Sequence, residues 1–289
     1  MRIFVTGGTG IIGRALVPLL RERGHDVLVL TRQKPAGEGY VHGNLEDADV
    51  VGEALRRFAP DAAVHLAWEN LPDYSLPQTL RNFEHSLRFL RLAAEAGCQA
   101  IVSTGSCWEY ASRSGQLGED APLNGTEPFH AAKNALRFLG QAIARTHGMH
   151  FYWLRLFFVY GPGQRPQSLV PHLIASLRQG HRPTLKAPYN RHDFVFVGDV
   201  ARAIAAVVEQ RPAGTVYNVG SGRPTPVAEV IAVVERLLGS GETTDVPPGV
   251  PDQDFWADIS QLQRDTDWQP AFDLESGLRE TLQVQAGTV

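Results

Sequence analysis

Ile3-Phe4-Val5-Thr6-Gly7-Gly8-Thr9-Gly10-Ile11-Ile12-Gly13 decides the fold of this chain: an apolar run meets glycines at Gly7, Gly10 and Gly13 and passes straight into an apolar-periodic segment. A strand, a tight turn and a helix in that order meet the physical needs of a pyrophosphate. The turn brings the backbone close, and the helix N-terminus offers free amides and the positive end of its dipole. The spacing therefore predicts a dinucleotide site that uses Gly7, Thr9, Gly10, Ile11, Ile12 and Gly13.

Downstream the pattern continues in the same register of short apolar runs and longer amphipathic stretches, which predicts successive βαβ units of a parallel sheet. Val27-Leu28-Val29-Leu30, Ala63-Val64-His65-Leu66, Ala100-Ile101-Val102 and Phe151-Tyr152-Trp153-Leu154 read as further strands buried on both faces. Leu80, Phe83, Leu87, Leu90 and Ala94 recur at helical steps, as do Phe129, Lys133, Leu136, Gly140 and Ile143. The second helix is expected to start at Thr126 as cap, with Pro128 in its first turn, so that Phe129 and Lys133 share a face. Beyond Tyr160-Gly161-Pro162-Gly163 the regularity loosens and prolines gather at Pro247, Pro248 and Pro251. The expected architecture is α/β: a Rossmann-type doubly wound sheet over 1–160, then a smaller mixed substrate lobe over 161–289 that returns some segments to the sheet.

Composition narrows the partners. The 289 residues carry a net charge of −4, with acids and bases interleaved and no basic run long enough to follow a phosphate backbone or an anionic membrane. Cys98 and Cys107 make neither a disulfide framework nor a zinc spacing. No charged-then-apolar leader precedes Arg2, and no apolar run reaches membrane-spanning length. A cytoplasmic protein without nucleic acid, membrane or metal partners is the expectation. About twenty residues past the glycines an NAD site usually places an acid for the ribose hydroxyls. Here Thr31-Arg32-Gln33-Lys34 stands instead, and a guanidinium there pairs well with a 2′-phosphate, which favours NADP(H) over NAD(H).

Taken together, the first turn, Gly43-Asn44-Leu45, His65-Leu66-Ala67, the stretch from Ser106 to Tyr110, Lys133, Leu154-Arg155 with Tyr160-Gly161-Pro162, and His192-Asp193-Phe194-Val195-Phe196-Val197 resemble the extended short-chain dehydrogenases, the NAD-dependent epimerase/dehydratase group. The resemblance covers nearly the whole chain. It implies that Asn44 and Leu45 flank the adenine, that Leu66, Ala67, Trp68, Thr104 and Phe157 line the dinucleotide, and that Ser106 hydrogen-bonds the substrate oxygen. It implies that Lys133 holds the nicotinamide ribose, Tyr110 stands beside the substrate, and Trp108, Phe158, Arg191, His192 and Trp256 line the substrate pocket. It also implies a homodimer built on the helices around 78–97 and 129–148.

Two departures stand out. Where the family has its catalytic tyrosine, the motif reads Phe129-His130-Ala131-Ala132-Lys133, and a phenyl ring neither gives nor takes a proton. Phe129 is then an engineered replacement, a natural loss with the proton supplied by Glu109, Tyr110, His130 or the substrate, or the mark of a protein that no longer does chemistry. The Asn and Arg that grip a nucleotide diphosphate in the family are replaced by Phe158 and His192, with the second Arg position falling near Pro248. Arg165, Arg182 and Arg191 are candidates to rebuild that clamp. These features favour an NADPH-dependent ketoreductase of a bulky ketone, either a polyketide or a 4-ketosugar. The alternatives are a nucleotide-sugar epimerase or dehydratase, and an NADP-sensing regulator without catalysis.

Overall fold

The computed structural model describes residues 1–289 except 34–36, 182, 184, 186, 240–248 and 287–289. The strands are β1 (Arg2–Thr6), β2 (Asp26–Thr31), β3 (Tyr40–His42), β4 (Ala62–His65), β5 (Ala100–Ser106), β6 (Ser114–Leu117), β7 (His150–Leu156), β8 (Phe158–Tyr160), β9 (Arg191–His192), β10 (Phe194–Phe196), β11 (Val216–Val219), β12 (Thr225–Pro226) and β13 (Asp254–Ala257). The helices are α1 (Ile11–Glu22), α2 (Ala48–Phe58), α3 (Leu76–Glu95), α4 (Pro128–His147), α5 (Leu169–Arg178), α6 (Val197–Gln210), α7 (Val227–Leu238), α8 (Ser260–Thr266) and α9 (Leu274–Ala286).

Seven parallel strands form the main sheet in the order β11-β7-β5-β4-β1-β2-β3. The order reverses at β1, which has β2 on one side and β4 on the other, so a crevice opens beyond the carboxyl ends of β1 and β4. Ile3, Phe4 and Val5 are wholly buried, as the continuous apolar reading requires of a strand covered on both faces. The last strand, β11, comes from the second half of the chain, and α6 from that half packs against α1. A smaller mixed sheet, β12-β9-β13-β6, and the pair β10-β8 stand beside the main sheet.

Local chemistry sets the boundaries of the elements. Asp47 Oδ1 accepts from Val50 N at 3.2 Å and starts α2, and Gly148 in the left-handed region ends α4. The predicted Thr126 cap is corrected: α4 begins at Pro128 after Glu127, which makes no side-chain cap bond. Thr126 is engaged elsewhere, since its N and its Oγ1 both donate to Asn124 Oδ1, at 3.0 and 2.8 Å. Among the described residues no helix is long and apolar enough to cross a membrane.

Candidate active site

Gly7 has φ +71, and a Cβ on it would lie 2.7 Å from Ala67 N, so the first turn and the end of β4 touch through bare backbone. A Cβ on Gly13 would lie 2.4 Å from Gly7 O, which fixes the helix against the turn. Gly10 caps α1 without any side-chain bond, leaving the first-turn amides to face the crevice. Two adjoining cavities of about 320 and 620 Å³ lie over this turn and share Gly7, Thr9, Gly10, Leu66, Trp68 and Asn70.

The smaller cavity collects Thr31, Arg32, Asn44, Leu45 and Ala67. Asn44 Oδ1 is buried there without a partner, an orphaned acceptor that suits a ligand donor such as an adenine amine. Arg32 pairs with Glu69 at 3.3 Å across the same mouth, so part of its charge is already engaged. The larger cavity collects Ile11, Ile12, Gly13, Thr104, Ser106, Trp108, Phe129, Lys133, Phe157 and Phe158. A cradle of glycines, free amides and an orphaned acceptor fits a dinucleotide.

At the far end, Ser106 closes β5 and begins a single 3₁₀ turn, Cys107–Glu109. Its Oγ accepts from Trp108 N at 3.2 Å, and its N donates to Glu109 Oε1 at 2.8 Å. Lys133 is almost wholly buried; its Nζ donates to Thr104 O at 2.9 Å and lies 4.0 Å over the Trp68 ring. Burial pushes the ammonium down to about 8, opposed by the nearby Glu109 carboxylate. Phe129 packs its ring edge-on to Trp68 at 5.4 Å and to Tyr74 at 5.1 Å.

Four expected site residues, Tyr110, Arg191, His192 and Trp256, lie outside these two cavities. Tyr110 is corrected from catalytic candidate to core: it is fully buried, its hydroxyl donates to Asn218 Oδ1 at 2.6 Å and accepts from Arg155 Nη1 at 2.9 Å. Burial first, with Glu119 adding, pushes this phenol up to about 12 against the opposing pull of Arg155. Arg191 is exposed and faces Asp254 at 3.7 Å, outside the cavities. Trp256 is also corrected. Strand alternation in β13 turns its neighbour Phe255 towards Trp108, Phe158 and His192, at 6.1, 5.8 and 5.8 Å, and sends Trp256 the other way.

The other proposed proton sources are also held away from the cavity. Glu109 is buried, accepting from Trp153 Nε1 and from Arg155 Nε at 2.9 Å. His130 stacks on Trp108 with ring centroids 6.3 Å apart, and its Nδ1 meets Asn124 Nδ2 at 3.1 Å. His192 stacks on Phe158 at 4.1 Å, and both line a third cavity of about 780 Å³ bounded by α5 and β10. Burial alone holds the His192 imidazole down to about 4. Arg165 lines the larger cavity, whereas Arg182 and Pro248 lie outside the described residues. Arg14, Asn70, Tyr74 and Gln164 also line it and escaped the sequence reading; no motif or periodicity marks them.

A reversed strand order, a glycine turn under free helix amides, and a Ser and a Lys at the far end of one crevice define a dinucleotide-binding protein of the extended short-chain dehydrogenase type. The family model described as "NAD dependent epimerase/dehydratase family" matches residues 3–220, and the chain belongs to that family. It is 30% identical, over 97% of its length and 92% of the relative's, to a dTDP-glucose 4,6-dehydratase of Streptomyces griseus. Among solved structures it resembles MoeE5 in complex with UDP-glucuronic acid and NAD, with 27% identity, a TM-score of 0.87 and full coverage of both chains. A UDP-glucose 4-epimerase of Thermus thermophilus, solved as a complex with NAD, shares 26% identity over both full chains, with a TM-score of 0.85.

Proposed function

We propose that this chain is a nicotinamide-dependent enzyme acting on a nucleotide-linked sugar, moving hydride between a ring carbon and the dinucleotide as the epimerases and dehydratases of its family do. The observation that carries this reading is the larger cavity, which places the glycine turn, Ser106 and Lys133 around one space. Here Ser106 Oγ hydrogen-bonds the reacting oxygen and Lys133 holds the nicotinamide ribose. The family relatives named above, a dTDP-glucose dehydratase and a UDP-glucose epimerase, support the sugar nucleotide as substrate class.

A second reading is an NADPH-dependent ketoreductase. The aromatic lining of Trp68, Trp108 and Phe158 suits a bulky ketone as well. NADP(H) is the dinucleotide that Arg32 favours. The Glu69 carboxylate 3.3 Å away lowers that advantage, and the two related structures named above were solved with NAD.

The test is turnover by this chain and by Phe129→Tyr on UDP-glucose, dTDP-glucose, dTDP-4-keto-6-deoxyglucose and an aromatic polyketide ketone. Sugar products are read by mass spectrometry and chromatography, NAD(P)H by absorbance, and the affinities of both dinucleotides by calorimetry. Conversion of UDP-glucose or dTDP-glucose supports the first reading. Reduction of the 4-ketosugar or the polyketide ketone without conversion of those two replaces it by the second, and dinucleotide binding without any turnover overturns both in favour of a silent sensor.

A further inference from the structure

We propose that Tyr74 supplies the phenolic proton that Phe129 cannot, acting on the reacting oxygen from the loop ahead of α3. This rests on the hydride-transfer reading above. Tyr74 is the only tyrosine lining the larger cavity among the described residues, together with Ser106, Phe129 and Lys133. Its ring meets the Phe129 ring edge-on at 5.1 Å, so a phenol stands one ring contact from the position that lacks one. The Tyr74 backbone carbonyl accepts from Thr79 Oγ1 at 3.4 Å, while no hydrogen bond to the Tyr74 hydroxyl is found among the described residues.

The rival donors are spoken for. Tyr110 and Glu109 are buried and saturated by Arg155 and its neighbours, and His130 is held by Asn124 and Trp108 outside the cavity. Cys107 is buried behind Ser106, and burial pushes its thiol far above the ordinary range. Tyr74 is 48% exposed, which gives solvent a path to its hydroxyl.

The step balances in the reductive direction that both functional readings contain. A reduced nicotinamide, when bound, would supply hydride to the carbonyl carbon, so that the C–H bond forms as the cofactor is oxidised. The carbonyl oxygen takes the proton of Tyr74, held in line by Ser106 Oγ, and the phenolate regains a proton from water. A phenolic hydroxyl carries a transferable proton and so serves as donor without a neighbouring base.

The experiment measures NAD(P)H-dependent reduction of dTDP-4-keto-6-deoxyglucose and of the polyketide ketone by wild type, Tyr74→Phe, Phe129→Tyr and the Tyr74→Phe/Phe129→Tyr double variant. The expected result is a fall in kcat on the order of 10²-fold in Tyr74→Phe, with KM and dinucleotide affinity unchanged, and recovery in the double variant. Circular dichroism of Tyr74→Phe checks that the fold is intact. Undiminished kcat in Tyr74→Phe overturns the proposal and leaves the functional reading standing, as does turnover by Phe129→Tyr with none by wild type. No turnover by any variant, of either ketone or of UDP-glucose and dTDP-glucose, overturns both; where one of those two sugars is the substrate converted, the same Tyr74→Phe comparison is read on it.

Discussion

Lys133 is under electrostatic strain at the site, because a cation has been taken almost wholly out of water with a carbonyl and an indole face for company. Burial moves it from 10.5 down to about 8, so its charge is less favourable in the folded chain than in the unfolded one. Between about 8 and about 10.4 the unfolded state binds the extra proton, so stability rises with pH across that window. Below it both states are protonated and the slope vanishes. Lys133→Met removes the titrating group. Its urea midpoint, compared with wild type at pH 7.5 and at pH 10 without dinucleotide, should show wild type gaining on the variant by an amount on the order of 1–3 kcal/mol. An unchanged difference would mean that water reaches the amine.

At the scale of elements, the contiguous parts of the site were legible and the assembled parts were not. The turn from Gly7 to Gly13 lies within one strand-turn-helix unit, so its residue types and spacing announce their purpose, and the helical step from Phe129 to Lys133 survives in α4. Tyr110 reads as a site tyrosine until Arg155 and Asn218, distant in sequence, close around its hydroxyl. Strand β13 shows the limit most sharply. Phe255 and Trp256 are adjacent aromatics, and only pairing with β6 and β9 decides which one faces the pocket. Phe255 is fully buried against the rings that line the substrate end, so Phe255→Ala should cost about 3–5 kcal/mol and loosen the Phe158–His192 stack. Thermal unfolding and KM for the converted substrate measure the two effects. Trp256→Ala should leave KM unchanged; a larger KM effect there than at Phe255 would mean that β13 presents its opposite face to the pocket.

On the scale of the whole molecule, α3 and α4 pack side by side on the main sheet and leave Leu76, Leu80, Phe138 and Leu139 exposed on their outer faces. Between them runs a groove of about 650 Å³ floored by Leu87, Leu139 and Ile143 and edged by Glu84, Arg88, Arg91 and Glu95. Apolar side chains gathered on neighbouring helices mark an association surface more often than chance does. We infer that a second copy of this chain covers it, as the sequence resemblance implied. A two-fold axis sets the same patch against itself, so the surface must be self-complementary, and a groove edged by both acids and bases meets that condition. Phe138→Glu combined with Leu80→Glu places four carboxylates in such an interface, two from each protomer. Light scattering after size exclusion at micromolar concentration should then give a dimer for wild type and the 31.7 kDa monomer mass for the variant. Wild type eluting at the monomer mass would assign the exposed patch to another partner and leave the active-site crevice, which lies at the carboxyl ends of β1 and β4, complete within one chain.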